Sequence, residues 1–208
     1  MKRTMFMVLA AALGLMPGAE AATVHPALAP FHAIRIDGVA HVVFTEAPDQ
    51  SVTATGRTAT LKRLRLTVEN GVLVMRMKSG ASSSGDDTVR LALTAPLLDH
   101  VTVSGMASGD LRGLTGPAFT LDVSGTARLT MSGAVQRAML TVSGAGQVDA
   151  KRLVADDLTL KIDGTGVVRG YASKVVHVSV SGVGTAHVAG DPPVRDVSKS
   201  GIGLVEFN

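Results

Sequence analysis

The chain has 208 residues, enough for one domain or two small ones. It contains no Cys, which excludes a disulfide framework and a thiolate metal site. A formal net charge of +3, with the charges scattered along the chain and aromatics at 3%, argues against nucleic acid as a partner.

Lys2 and Arg3 form a positive start, Met5 to Met16 is an apolar run too short to span a bilayer comfortably, and Ala19-Glu20-Ala21 is an A-x-A cleavage pattern. Residues 1–21 are therefore expected to be a secretory signal peptide. Removing Lys2, Arg3 and Glu20 leaves a net charge of +2 on a mature chain starting near Ala22. That chain is expected to carry no transmembrane segment and to be periplasmic, extracellular or held at the cell surface. Residues 22–30, with Pro26 and Pro30, read as a lead-in.

Ile34 to Phe44 reads I-R-I-D-G-V-A-H-V-V-F, with aliphatic residues alternating on both sides of Gly38. Such alternation marks strands with one buried face, here joined at a glycine corner. Val52 to Thr55 is a further strand. Leu64–Glu69 and Val72–Met77 flank Asn70-Gly71, the dipeptide that suits a two-residue hairpin turn. Residues 79–87 have the composition of a flexible loop. Val89 to Leu93 alternates again, and Ala95-Pro96 turns the chain.

From Val101 onward the corner recurs. The glycines are Gly105, Gly125, Gly144, Gly164, Gly182 and Gly201, at spacings of 20, 19, 20, 18 and 19 residues. A fixed period of this size predicts a solenoid. Four before each glycine stand Val101, Leu121, Leu140, Leu160, Val178 and Val197; two before it stand Val103, Val123, Val142, Ile162, Val180 and Lys199. Between these apolar columns runs a polar one of Thr102, Asp122, Thr141, Lys161, Ser179 and Ser198. Only Ala or Gly follows two after the glycine. Each rung is thus predicted to be strand, corner, strand and a variable return. The corner requires glycine either for a positive φ or for close backbone approach. Lys199, Pro192, Pro193 and Phe207 suggest a cap on the last rung.

The tandem V-S-G units, the I-D-G-V-A-H-V-V-F rung, the N-G hairpin and T-A-P-L-L before the first regular rung together resemble the auto-transporter adhesin head GIN domain family of exported bacterial proteins. The resemblance covers residues 31–208. It implies a β-helix-like, right-handed coil and export, and it carries no catalytic motif. The expected fold is an all-β, single-stranded β-solenoid with rungs of about 19 residues, in which residues 31–95 are less regular and 96–208 form the regular rungs.

No residue constellation points to chemistry. The G-x-G pairs, such as Gly144 with Gly146, recur with the rung and precede strands, whereas a dinucleotide fingerprint needs a third glycine and a helix. Among the histidines (His25, His32, His41, His100, His177, His187) no zinc spacing occurs. His100 and His177 share a column, but four rungs separate them by about 19 Å. The serines before the corner glycines, with Asp163 in their place once, recur too regularly to be nucleophiles and have no paired base. The outward column five after each glycine, namely Asp110, Thr130, Asp149, Arg169, His187 and Glu206, is the candidate binding face. Its acids Asp110 and Asp149 lie two rungs apart. The expectation is a non-enzymatic envelope or cell-surface protein, an adhesin-like binding or structural module with a protein or glycan partner and no cofactor or metal. The alternative is a polysaccharide-acting lyase or hydrolase on a β-helix scaffold. Scarce stacking residues, with no Trp and Tyr171 alone, weigh against it.

Overall fold

The computed structural model describes residues 21–78 and 88–208. The signal peptide expected at 1–21, apart from Ala21, and the loop expected at 79–87 lie outside the described residues. The remainder is nearly all strand: β1 (Ala21–Val24), β2 (Ala33–Asp37), β3 (Val39–Glu46), β4 (Ser51–Arg57), a short helix α1 (Thr58–Arg63), β5 (Leu64–Glu69), β6 (Val72–Met77), β7 (Val89–Ala95), β8 (His100–Val103), β9 (Met106–Val123), β10 (Thr126–Val142), β11 (Ala145–Ile162), β12 (Thr165–Val180), β13 (Val183–Ala189), β14 (Val194–Lys199) and β15 (Ile202–Phe207).

The regular tract is a solenoid of about five turns. Strands β9, β10, β11 and β12 stack in parallel, and the columns seen in the sequence are true registers. Leu121 pairs with Leu140, Leu140 with Leu160, and Leu160 with Val178. These residues, with Val123, Val142, Ile162 and Val180, are fully buried, while the intervening Thr102, Asp122, Thr141 and Ser179 are half-exposed. Alternation therefore does what the period of a strand dictates: every second side chain enters one continuous core, which Phe119, Leu114 and Met131 from the returns complete.

The returns differ from the expectation of loops. They remain extended and paired, so each of β9 to β12 runs unbroken from one corner to the next. The variation in period is taken up as register shifts, for example between Thr130 and Ser132 and between Asp149 and Val154. Gly113, Gly116 and Gly133, each with a left-handed φ, sit in these returns.

At the corners, close approach is the reason for glycine. Ser124 N and Gly125 N both donate to Val103 O, at 2.9 and 3.1 Å, and Thr126 N donates to Gly105 O at 2.9 Å. The same triplet recurs at the corners of Gly144, Gly164 and Gly182, and its first two bonds recur at Gly201. A Cβ on Gly125, Gly144, Gly164 or Gly182 would lie 1.9–2.0 Å from the carbonyl oxygen of the corner glycine one rung before. Gly105 stacks on Gly38 in the same way, which places Ile34 to Phe44 as a rung of the solenoid.

Sequence order and stacking order part company at the N-terminal end. β2 lies between β6 and β8, and β3 between β7 and β9, all parallel. The later pair β6/β7 thus forms a layer outside the earlier pair β2/β3. Antiparallel strands then close this end: β5 on β6, β4 on β7, and β1 on β4. The β5–β6 hairpin has the predicted bounds, with φ of 52° at Asn70 and 76° at Gly71, the double positive φ of its turn. The helix α1 and the strand in the lead-in were not legible in the sequence.

At the other end β14 pairs with β12 and β15 with β13. The expected cap is partial. Phe207 packs against the core under the Arg195 guanidinium, 4.6 Å from its ring centroid. Yet Val197 is 44% and Ile202 79% exposed.

Candidate functional site

The outward column is a ladder in register. Thr130 pairs with Asp110 on one side and Asp149 on the other; Asp149 pairs with Arg169, Arg169 with His187, and His187 with Glu206. The strand period points all six away from the core, and all are half-exposed or more. The acids are engaged locally. Arg112 Nη2 donates to Asp110 Oδ2 at 3.0 Å, and the Lys151 amide donates to Asp149 Oδ1 at 3.2 Å. His187 Nδ1 lies 2.7 Å from Glu206 Oε2. Asp149 and Arg169 are ladder neighbours, but Asp149 turns to its own strand. The column supplies a graded strip, acidic at Asp110 and Asp149, basic at Arg169 and mixed at its end. It brings no two carboxylates to adjacent rungs, the spacing of about 5 Å that a retaining glycosidase uses; Asp110 and Asp149 stand two rungs apart with Thr130 between them.

Histidines elsewhere on the surface also meet carboxylates of a neighbouring rung or turn: His32 with Asp99 and His100 with Asp122, each at 3.0 Å, and His177 with Asp196 at 3.2 Å. The register His100–Thr120–Met139–Thr159–His177 confirms that His100 and His177 stand four rungs apart. Among the described residues no group of three or more His, Asp or Glu could hold a metal ion.

In the Ser column of the corners, Ser124 Oγ donates to Val103 O of the preceding rung at 3.4 Å, and a side-chain pair forms along the axis where Asp163 replaces Ser. Ser181 Oγ donates to Asp163 Oδ1 at 2.6 Å, and Lys161 Nζ lies 3.2 Å from Asp163 Oδ2. The Ser181 bond is the main cause holding the Asp163 carboxyl below its ordinary value; desolvation opposes it and Lys161 adds to it. In a return, Ser173 and then Lys174 hold Asp156 low in the same way, and Asp156 raises the Lys174 ammonium. Among the described residues no buried side-chain polar atom lacks a partner.

The clefts lie beside other columns. One of about 360 Å³ runs along the corner ridge, walled by Val39, Met106, Arg128 and Gln147. Its signal was present in the sequence: the residues one after each glycine, from Val39 and Met106 to Val183 and Ile202, include no charge. A second, of about 280 Å³, is lined by Phe119, Arg137, Met139 and Asp157. A third, of about 410 Å³, lies on the β5–β6 hairpin. Among the described residues no helix is long and apolar enough to cross a membrane.

Stacked parallel rungs, glycine corners and outward polar ladders define a β-solenoid that presents regular surfaces. The chain belongs to the family described as putative auto-transporter adhesin, head GIN domain, whose model matches residues 30–192. It is similar in structure to a putative adhesin from Bacteroides fragilis, with a TM-score of 0.72, 19% identity, and coverage of 94% of this chain and 100% of that one. A putative adhesin from Parabacteroides merdae is similar with a TM-score of 0.52 and 13% identity, covering 90% of this chain and 96% of that one. At these identities the likeness shows the fold. No curated protein matches the chain.

Proposed function

We propose that the chain is an exported, non-enzymatic binding module of the cell envelope or surface, adhesin-like, that meets a protein or glycan partner through the outward column. The observation that carries this reading is the register of Asp110, Thr130, Asp149, Arg169, His187 and Glu206 on one straight ladder. A strip of this kind offers repeated shallow contacts at the spacing of the rungs, about 4.8 Å. Membership of an adhesin family supports the binding role. The signal-peptide pattern read in residues 1–21 supports the location.

The test joins binding to location. An epitope after Asn208 is followed during protease treatment of intact cells. The purified domain is separately assayed for capture of envelope proteins and glycans, with and without D110N, D149N and R169Q together. Loss of the epitope without lysis, and loss of captured partner in the triple variant, are expected. Protection of the epitope until the outer membrane is opened would place the module in the periplasm. Undiminished capture would remove the column from the site.

A further inference from the structure

The charge of the chain is not scattered once the fold is known. Residues 50–90 hold seven Lys or Arg against Glu69, Asp86 and Asp87, a net of +4, whereas residues 22–49 hold Arg35 against Asp37, Glu46 and Asp49, a net of −2, and residues 91–208 hold ten Lys or Arg and ten Asp or Glu. The basic stretch is the one that closes the N-terminal end of the solenoid, because β4, α1 and β5 are laid outside the parallel layers there.

Its cations are exposed, and Arg65 and Lys78 line one cleft. Arg57 ends β4, Lys62 lies in the last turn of α1, Arg65 is on the outermost strand β5, and Lys78 follows β6. The Lys78 amide donates to Arg63 O at 3.0 Å, which joins the helix end to the hairpin. None of the four side chains Arg57, Lys62, Arg65 and Lys78 has a carboxylate within ion-pair distance among the described residues. Arg65 also stands directly opposite Arg76 across the hairpin, a like-charge placement that costs stability. Arg65, Arg76, Lys78 and Thr67 wall the hairpin cleft, with Glu69 and Met77. Arg76 is already held by Asp37 (Nε to Oδ2, 3.3 Å) and Glu69 (Nη1 to Oε1, 3.5 Å), and Thr67 Oγ1 donates to Glu69 Oε1, so Arg65 and Lys78 are the lining groups that can turn to an anion's oxygens.

The course of the chain gives the occupant. Ala21 pairs with Arg57, so the apolar leader, residues 1–20, joins the domain at the basic end itself. An exposed basic end complements the phosphate groups of an anionic bilayer, and the segment expected to be the signal peptide leads into it. We propose that the N-terminal end of the solenoid, built by β1, β4, α1 and the β5–β6 hairpin, is a docking surface for the phosphate groups of an anionic lipid surface. Docked so, the solenoid axis stands away from the lipid and displays the outward column. This goes beyond the binding role assigned to that column and uses none of its residues.

The test is sedimentation of the chain beginning at Ala22 with vesicles of phosphatidylcholine alone or of equal parts phosphatidylcholine and phosphatidylglycerol. Sedimentation is expected with the anionic vesicles only. It is expected at about 0.1 M salt and not at about 1 M, where the Debye length falls from about 10 Å to about 3 Å. K62Q, R65Q and K78Q together should weaken it about 100-fold, since each cation near an anionic surface is worth about a factor of five. R128Q, K151Q and R152Q remove the same charge from the neutral tract and should leave it unchanged. Thermal melts check that both triple variants are folded. No sedimentation at low salt, or equal loss in both triple variants, overturns the proposal. Equal affinity for soluble polyphosphate would make the occupant a free anionic polymer and overturn the lipid surface. Capture of a partner by the outward column is read separately, so either reading can fail without the other.

Discussion

At Val142 and Thr141 the two faces of a strand can be told apart by a single substitution. Val142 is fully buried beneath Val123 and Ile162, and an aspartate there would be an unpaired charge in the core. Val142→Asp is expected to cost more than about 4 kcal/mol. Thr141 is half-exposed between Asp122 and Lys161, and Thr141→Asp should stay within about 1 kcal/mol, the repulsion and attraction of its neighbours offsetting. Equal melting temperatures for the two variants would sink the assignment of faces. The corner glycines make a second contrast. A Cβ at Gly144 would sit 2.0 Å from Gly125 O, a backbone atom held by the rung above. Gly144→Ala should therefore cost about 3 kcal/mol. At Gly56 the nearest atom is 3.6 Å away and φ is ordinary, so Gly56→Ala should be neutral or stabilise by about 0.5 kcal/mol. Chemical denaturation of the pair measures the difference. Asp163 gives a pH dependence. Its folded carboxyl is held below the ordinary value, so its contribution is present above that value and lost as pH falls through the folded one. Ser181→Ala removes the main cause. The Tm of the variant should fall less than that of the parent between about pH 4 and pH 2.

Elements behave according to how many neighbours they have. β10 and β11 are paired on both sides along most of their length, whereas β14 and β15 each pair on one side. Among the described residues this leaves Val194, Val197, Ile202 and Leu204 exposed on an open edge, the situation that invites pairing with other chains. Replacing Ile202 and Leu204 by Lys should lower aggregation of the heated domain without lowering its Tm, as read by light scattering during a melt. The β5–β6 hairpin is the most local element of the fold. A Cβ at Gly71 would meet the His32 ring at 2.7 Å, and its φ of 76° disfavours any side chain. Both facts explain why Asn-Gly was enough to place the turn. The six-residue α1 was not legible, because T-A-T-L-K-R lacks a capping side chain and carries little helical pattern. What holds it is its place between β4 and β5.

For the whole molecule, a stack in which each layer contacts its neighbours should open from its weaker end. Hydrogen exchange should be slowest for amides of β10 and β11 and fastest for β14 and β15, with intermediate protection at the antiparallel N-terminal closure. Uniform protection would mean that the solenoid opens as a single unit. The repeat was legible because its physics is local: the strand period sorts inward from outward residues, and stacked glycines recur wherever one rung's carbonyl crowds the next. Those two rules place the columns of Leu121 and Thr130 without coordinates. The sequence alone likewise determined the hairpin and the rung around Gly38. Only the tertiary structure decided that β6/β7 stacks outside β2/β3, that the returns are paired strands, and that Arg57, Lys62, Arg65 and Lys78 converge on one end. Pairing between segments distant in sequence is set by which exposed edge and which apolar face remain to be covered, and that is a property of the assembled layers rather than of any stretch of chain.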